Sequence, residues 1–228
     1  MPDAGLVDRY LGLADFWRLA RRLIGDATTP EEKTRRLYTW VARNIRYLGI
    51  YAGSGGYVPH SAASILKNRF GDCKDHVTLL EAMLRSVGIE STPALINADR
   101  AYLLPSTPVT GIFDHVISYV PALNLFLDST ARFTPVGTLP QGVVGKPALI
   151  VFTGEVKSTP IDTADSDSTN TVTQMVLHED GRVTGSTKIT QRGPYQWISV
   201  DQAPVHAAAH NNRPQCEMQN IRYDQQHN

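Results

Sequence analysis

Residues 69–89, RFGDCKDHVTLLEAMLRSVGI, hold a helix with two apolar faces. Val77, Leu80, Leu84 and Val87 mark one face, and Leu79, Ala82 and Met83 mark another. A helix apolar over most of its circumference belongs inside a core, so the other elements must be arranged around it. Its ends are legible too. Gly71 supplies a tight turn, Asp72 is an N-cap, Asp75 stands where a capping box needs its second acidic group, and Gly88 is a C-cap. Cys73 therefore opens a central helix, where the dipole and unbonded N–H groups favour a thiolate over a thiol. A free cysteine also packs as a small hydrophobe, so this position takes its meaning from what lies downstream.

Downstream, FDHVISYV (113–120) alternates and is rich in β-branched and aromatic residues, which predicts a strand with His115 on the face of Phe113, Ile117 and Tyr119. NLFLDST (124–130) predicts a second strand ending at Asp128. If the two pair as neighbours, Asp128 can lie beside His115. Nucleophilic catalysis needs that arrangement: a base to take the thiol proton and a carboxylate to hold the base's tautomer. Singly, a strand histidine is more often structural and an Asp before Ser-Thr more often a turn residue. Jointly, the cysteine, histidine and aspartate in this order point to an acyl-transfer site.

Around this pattern the chain reads as α+β, with helices first and then an antiparallel sheet that receives the cysteine helix. Residues 6–25 have helical spacing and stop at Gly25. TTPEEK starts a second helix, with Thr29 as N-cap, Pro30 at the first position and Glu32 closing a capping box, running to about Arg46. Residues 50–60 are Gly-rich but lack the Lys-Ser/Thr of a phosphate loop. Ser61 opens a short helix, 91–98 is strand-like, and 98–111 is a long loop entering the His115 strand, with Leu103, Leu104 and Pro105 as a candidate apolar wall. LIVF (149–152) is a further short strand. Residues 161–170 form a polar linker without the spacing of a calcium loop. Residues 171–193 alternate on both sides of Asp180-Gly181 as a β-hairpin, and 194–228 lose periodicity and read as disordered.

Composition excludes several functions. The 228 residues are 42% hydrophobic and 19% charged with a formal net charge of zero, which argues against a nucleic acid or an anionic membrane as main partner. The early arginines are interleaved with acids and read as solvated helix faces. No apolar run is long enough to predict a membrane span, and the N-terminus lacks the layout of a signal peptide. Two cysteines do not make a disulfide framework. His60, Cys73 and His76 offer no second ligand pair at zinc spacing, so no metal or other cofactor is expected.

GDCKDHVTLLEAMLRSVGI, FDHVISYV and FLDST resemble the bacterial transglutaminase-like superfamily, whose fold is related to that of papain-like proteases. The resemblance extends to YTWVARNIRYLGIYAG and GGYVPHSAASILKNRFGDC and covers roughly residues 5–160. It implies Cys73 as nucleophile, His115 as general base and acid, and Asp128 as orienting carboxylate. It implies that the 50–60 loop lines the cleft, with Tyr57 and His60 as substrate contacts, and that the substrate is a protein or peptide. It also implies residues 1–160 as the catalytic domain, with the hairpin opening a shortened C-terminal β domain. In the bacterial relatives, β domains flank the catalytic one and the setting is the periplasm or cell envelope. The expected reaction is hydrolysis of a peptide or amide bond, or transfer to an amine. Two rivals stand beside it: an arylamine acetyltransferase-like enzyme, for which no coenzyme A feature is visible, and an inactive peptide-binding or scaffold module that kept the fold.

Overall fold

The computed structural model describes residues 13–49, 56–104, 109–161 and 168–192. Residues 50–55, Pro105, 162–167 of the linker, and the 194–228 tail with Cys216 lie outside the described residues. The chain forms two compact units, Met1–Asp162 and Thr163–Asn228.

In the first unit, α1 (Leu13–Ile24) stops at Gly25, whose φ of +52° turns the chain away. Arg36 ties the following turn, donating to the Ile24 carbonyl at 2.7 Å, to Asp26 at 2.8 Å and to Glu32 at 2.8 Å. Arg36 thus serves local helix structure. Helix α2 (Pro30–Asn44) has the expected N-cap and Pro30, with the Thr29 hydroxyl accepting from Glu32 N, but the Glu32 carboxylate accepts from Arg35 and Arg36 instead of closing a capping box. It buries Leu37, Tyr38, Trp40 and Val41. It ends two residues before the expected Arg46, because Arg46 and Tyr47 leave as β1 (Arg46–Tyr47). β1 pairs in parallel with β2 (Phe70–Gly71), through Arg46 N to Arg69 O at 2.8 Å and Leu48 N to Gly71 O at 2.9 Å. Between them α3 (Ala62–Asn68) is capped by Ser61 and ended by Arg69 in the left-handed region.

Helix α4 (Cys73–Ser86) carries the capping box that its sequence predicts. Its other end is a Schellman closure: Ile89 N bonds Leu84 O at 3.0 Å and Gly88 N bonds Arg85 O at 3.1 Å, with Gly88 at φ +80°. Leu79, Leu80, Met83 and Leu84 have no exposed surface and pack with α1, α2 and α3. On its remaining side α4 lies against β4.

The sheet is five-stranded and antiparallel throughout, in the order β5 (Leu125–Leu127), β4 (His115–Val120), β3 (Thr92–Ile96), β6 (Pro147–Ile150), β7 (Val156–Ser158). Both faces of β4 are buried. Val120 and Leu127 join the helical core, while Ile117, Tyr119 and Phe126 join a second cluster with Leu139, Val143 and Ile150. The architecture is α+β, as read from the sequence. The strand expected over LIVF ends sooner: Val151 and Phe152 turn outward, 49% and 74% exposed, because a tight turn with Gly154 at φ +70° reverses the chain there.

The second unit contains the hairpin β8 (Ser168–Leu177) and β9 (Val183–Arg192). Gly181 adopts φ +80° and His178 N bonds Arg182 O at 2.8 Å, so the reversal is a three-residue loop with glycine in its left-handed place.

Leu80 sits where the helices converge and has no exposed surface. Leu80→Ala is expected to cost about 2–5 kcal/mol, read as a lower urea midpoint with an unchanged slope. A loss below about 1 kcal/mol would mean that the helices close around the cavity.

Candidate active site

The first turn of α4 is held by acids. Asp72 accepts from Asp75 N at 3.3 Å, and Asp75 accepts from Asp72 N at 3.3 Å. Lys74 pairs with Asp72, offsetting the charge of a carboxylate that is 3% exposed. Gly71 is required here for space: a Cβ on it would lie 2.5 Å from the Asp75 Cβ. Cys73 is thereby fixed at the first helical position, with a free and partly exposed thiol. Its main-chain N–H precedes the first intrahelical bond, His76 N to Asp72 O at 2.9 Å.

The sheet brings up the other two groups. In the β4–β5 ladder Ser118 faces Leu127 and Tyr119 faces Phe126. Continuing that register by one residue sets Asp128 opposite Ile117, on the same face as His115 and diagonal to it. The His115 Nε2 lies 2.9 Å from Asp128 Oδ2, and Cys73 is near enough to the imidazole to favour its charged form. With Nε2 on the carboxylate, Nδ1 is the nitrogen left for sulfur. His115 and Asp128 are thus joined across β4 and the end of β5, and the start of α4 brings Cys73 to the same imidazole.

Burial opposes a charge on the imidazole. The hydrogen bonds to Asp128 and Cys73 and their charges outweigh it, and the His115 pKa is pushed up to about 10. Burial likewise opposes ionisation of Asp128. The bonds from His115 and Thr130 prevail and hold it below the usual carboxylate range. Asp128 is both the turn residue and the partner of a base. Its Oδ1 accepts from Thr130 N at 3.1 Å and Thr130 Oγ1 at 2.6 Å, which leaves Oδ2 for His115.

The candidate substrate contacts lie elsewhere around the helix start. His60 is bound to Asp75, its main-chain N at 2.8 Å from Oδ1 and its Nδ1 at 3.0 Å from Oδ2. The 56–60 segment is therefore fastened to the turn that carries Cys73, and the His60 N–H is already engaged. Tyr57 is 92% exposed. Leu103 of the candidate apolar wall is 88% exposed. His60, Cys73 and His76 have different surroundings: His60 is bound to Asp75, and His76 is buried against Tyr47 with ring centroids 6.1 Å apart. Burial lowers the His76 pKa to about 4, against smaller opposing effects of Asp128, the Ser129 backbone and the cap acids. Among the described residues no group of three or more His, Cys, Asp or Glu is placed to hold a metal ion, and no helix is long and apolar enough to cross a membrane.

Residue spacing alone does not reveal Thr130 as a carboxylate ligand, Asp75 as the anchor of His60, or Tyr38, whose hydroxyl reaches the Asp128 carbonyl at 3.1 Å. The turn-forming Asp-Ser-Thr sequence was the available signal for Thr130.

The raised His115 pKa makes a stability prediction. Its ion-pair stabilisation is complete below the unfolded value near 6.5 and is lost as pH rises through about 10. The stability gap between wild type and His115→Gln should therefore narrow across that window in denaturant titrations. A gap independent of pH would mean that the imidazole is not held as a cation.

Residues 18–98 match the transglutaminase-like superfamily; this segment contains Cys73 and stops before His115 and Asp128. No curated protein matches the chain. Among solved structures it is similar to a putative protease from Parabacteroides distasonis, at 13% identity and a TM-score of 0.51, over 78% of this chain and 36% of that one. It is also similar to a putative cysteine protease from Cytophaga hutchinsonii, at 18% identity and a TM-score of 0.39, over 82% of this chain and 54% of that one. At 13% identity the likeness to the first is one of fold, and this chain spans only part of either structure's length.

Proposed function

We propose that this chain, whose residues 18–98 match the transglutaminase-like superfamily, performs cysteine-dependent acyl transfer on a peptide or carboxamide bond. The observation that carries the reading is the 2.9 Å bond between His115 Nε2 and Asp128 Oδ2, with Cys73 at the start of α4 near enough to act on the same imidazole.

The roles follow from chemistry. His115 takes the thiol proton, and Asp128 keeps Nε2–H engaged so that Nδ1 faces sulfur. The Cys73 thiolate attacks the carbonyl carbon. Negative charge then develops on the carbonyl oxygen, where the Cys73 N–H and the positive end of α4 stabilise it. His115 delivers its proton to the departing nitrogen, leaving a thioester. Water or an amine next gives a proton to His115 and attacks the thioester, and collapse breaks the C–S bond, releasing the product while His115 returns the proton to the departing sulfur. We favour water, because it is always at hand and no lysine-binding feature marks the sequence. The second oxyanion donor is not the His60 main-chain N–H, since Asp75 occupies it.

Hydrolysis of fluorescein-labelled casein and incorporation of dansylcadaverine into casein read the two outcomes separately. Cys73→Ala should abolish both and the acyl-enzyme mass adduct, while keeping the circular dichroism of the wild type. Turnover that survives this change would assign the nucleophile elsewhere. A folded wild type that turns over neither substrate and resists iodoacetamide at Cys73 would favour the peptide-binding module instead. Asp128→Asn should reduce turnover by up to about 10⁴ with little change in binding, as in other sites where the base is left in the wrong tautomer. Equal turnover for that variant and wild type would remove Asp128 from the chemistry.

A further inference from the structure

We propose that Tyr38, on α2, is a positioning residue for the Asp128 carboxylate. The proposal rests on the reading of Cys73, His115 and Asp128 given above and adds a fourth residue to it. Tyr38 is 1% exposed, embedded in the helical core beside Leu37 and Val41. Its hydroxyl lies 3.1 Å from the Asp128 carbonyl oxygen and 2.9 Å from the Thr134 carbonyl oxygen, across 90 and 96 residues of sequence. One phenol thus joins the first and last residues of the 128–134 loop. A buried tyrosine hydroxyl needs a partner, and this one finds it in the segment that carries the carboxylate.

The loop has weak means of holding itself. Its own backbone bonds are long, Ala131 N to Asp128 O at 3.4 Å and Thr134 N to Ala131 O at 3.2 Å. Thr130 sets how the carboxylate is turned within the loop, through Oδ1. Tyr38 sets where the loop stands relative to the helices, including α4 with Cys73. Both settings are needed, because His115 bridges a sulfur fixed on a helix and an oxygen fixed on a loop. A misplacement of the order of an ångström at such a site costs roughly a hundredfold in rate.

The test uses the full chain and Tyr38→Phe, which keeps the ring and removes only the hydroxyl. The His115 imidazole is titrated by NMR with labelled histidine, its signal identified by its loss in His115→Gln. The titratable groups facing that ring are Cys73 from α4 and Asp128 after β5, and Asp128 in turn faces Tyr38 from α2 and His76 from α4. In Tyr38→Phe the imidazole midpoint should move to lower pH by roughly half a unit or more, in the direction of Asp128→Asn but by less. Iodoacetamide alkylation of Cys73 should slow about tenfold, with near-ultraviolet circular dichroism retained. If Tyr38→Phe melts earlier yet titrates and alkylates as wild type does, Tyr38 is a packing residue and the proposal fails. The titration needs no substrate, so it stays readable if Cys73→Ala proves active, and the two failures are told apart.

Discussion

Everything in the first unit follows from burying α4 on nearly all sides. Leu79, Leu80, Met83 and Leu84 are fully covered, by other helices on one side and β4 on the other. Each such side chain gains roughly 1.5–3 kcal/mol on leaving water. A helix so enclosed cannot leave its first N–H groups to solvent, and its N-terminus is closed by Asp72 and Asp75. Those buried carboxylates need partners in turn. Lys74 meets Asp72 and His60 meets Asp75, which ties a preceding segment to the same turn. The requirement to cap a buried helix thereby fixes the surroundings of Cys73.

A second buried carboxylate, Asp128, sets the other half of the site. At 3% exposure an unpaired charge would be strongly destabilising. Its oxygens are instead all engaged: Oδ1 by Thr130, Oδ2 by His115, and its main-chain oxygen by Tyr38. Because each oxygen has its own partner, the carboxylate has few orientations open to it. The imidazole it holds then has Nε2 committed to the carboxylate and Nδ1 left for another partner. Charge on His115 is kept by two neighbours against the effect of burial, and neither neighbour comes from its own strand.

The polar line crosses the boundary between the unit's two apolar clusters. Leu127 packs with the helices and Phe126 with the sheet's other face, and Asp128 follows directly. Residues 128–134 accordingly leave the sheet between two packed regions, where Tyr38 reaches them from α2. A site at such a junction takes rigidity from both regions, while Cys73 at a helix start stays partly open to a reactant.

Much of this was legible in the residues themselves. The apolar faces of 73–86, the Asp72–Asp75 box, Gly88 and the alternation through His115 are local signals, each acting over one turn or one strand. Antiparallel neighbours joined by a short connection follow almost as directly, which is why Asp128 could be set beside His115. Ends of elements were less legible: α2 gave up Arg46 to a parallel pair with Phe70, and Val151 and Phe152 went to a turn, since both outcomes depend on partners distant in sequence. Chain order alone determined which residues could be nucleophile, base and carboxylate. Tertiary structure alone decided that His60 turns to Asp75 and that Tyr38 grips the loop after Asp128. Those contacts are hydrogen bonds whose donor and acceptor are brought within 3 Å or so by packing, and no local propensity encodes a distance between separate elements.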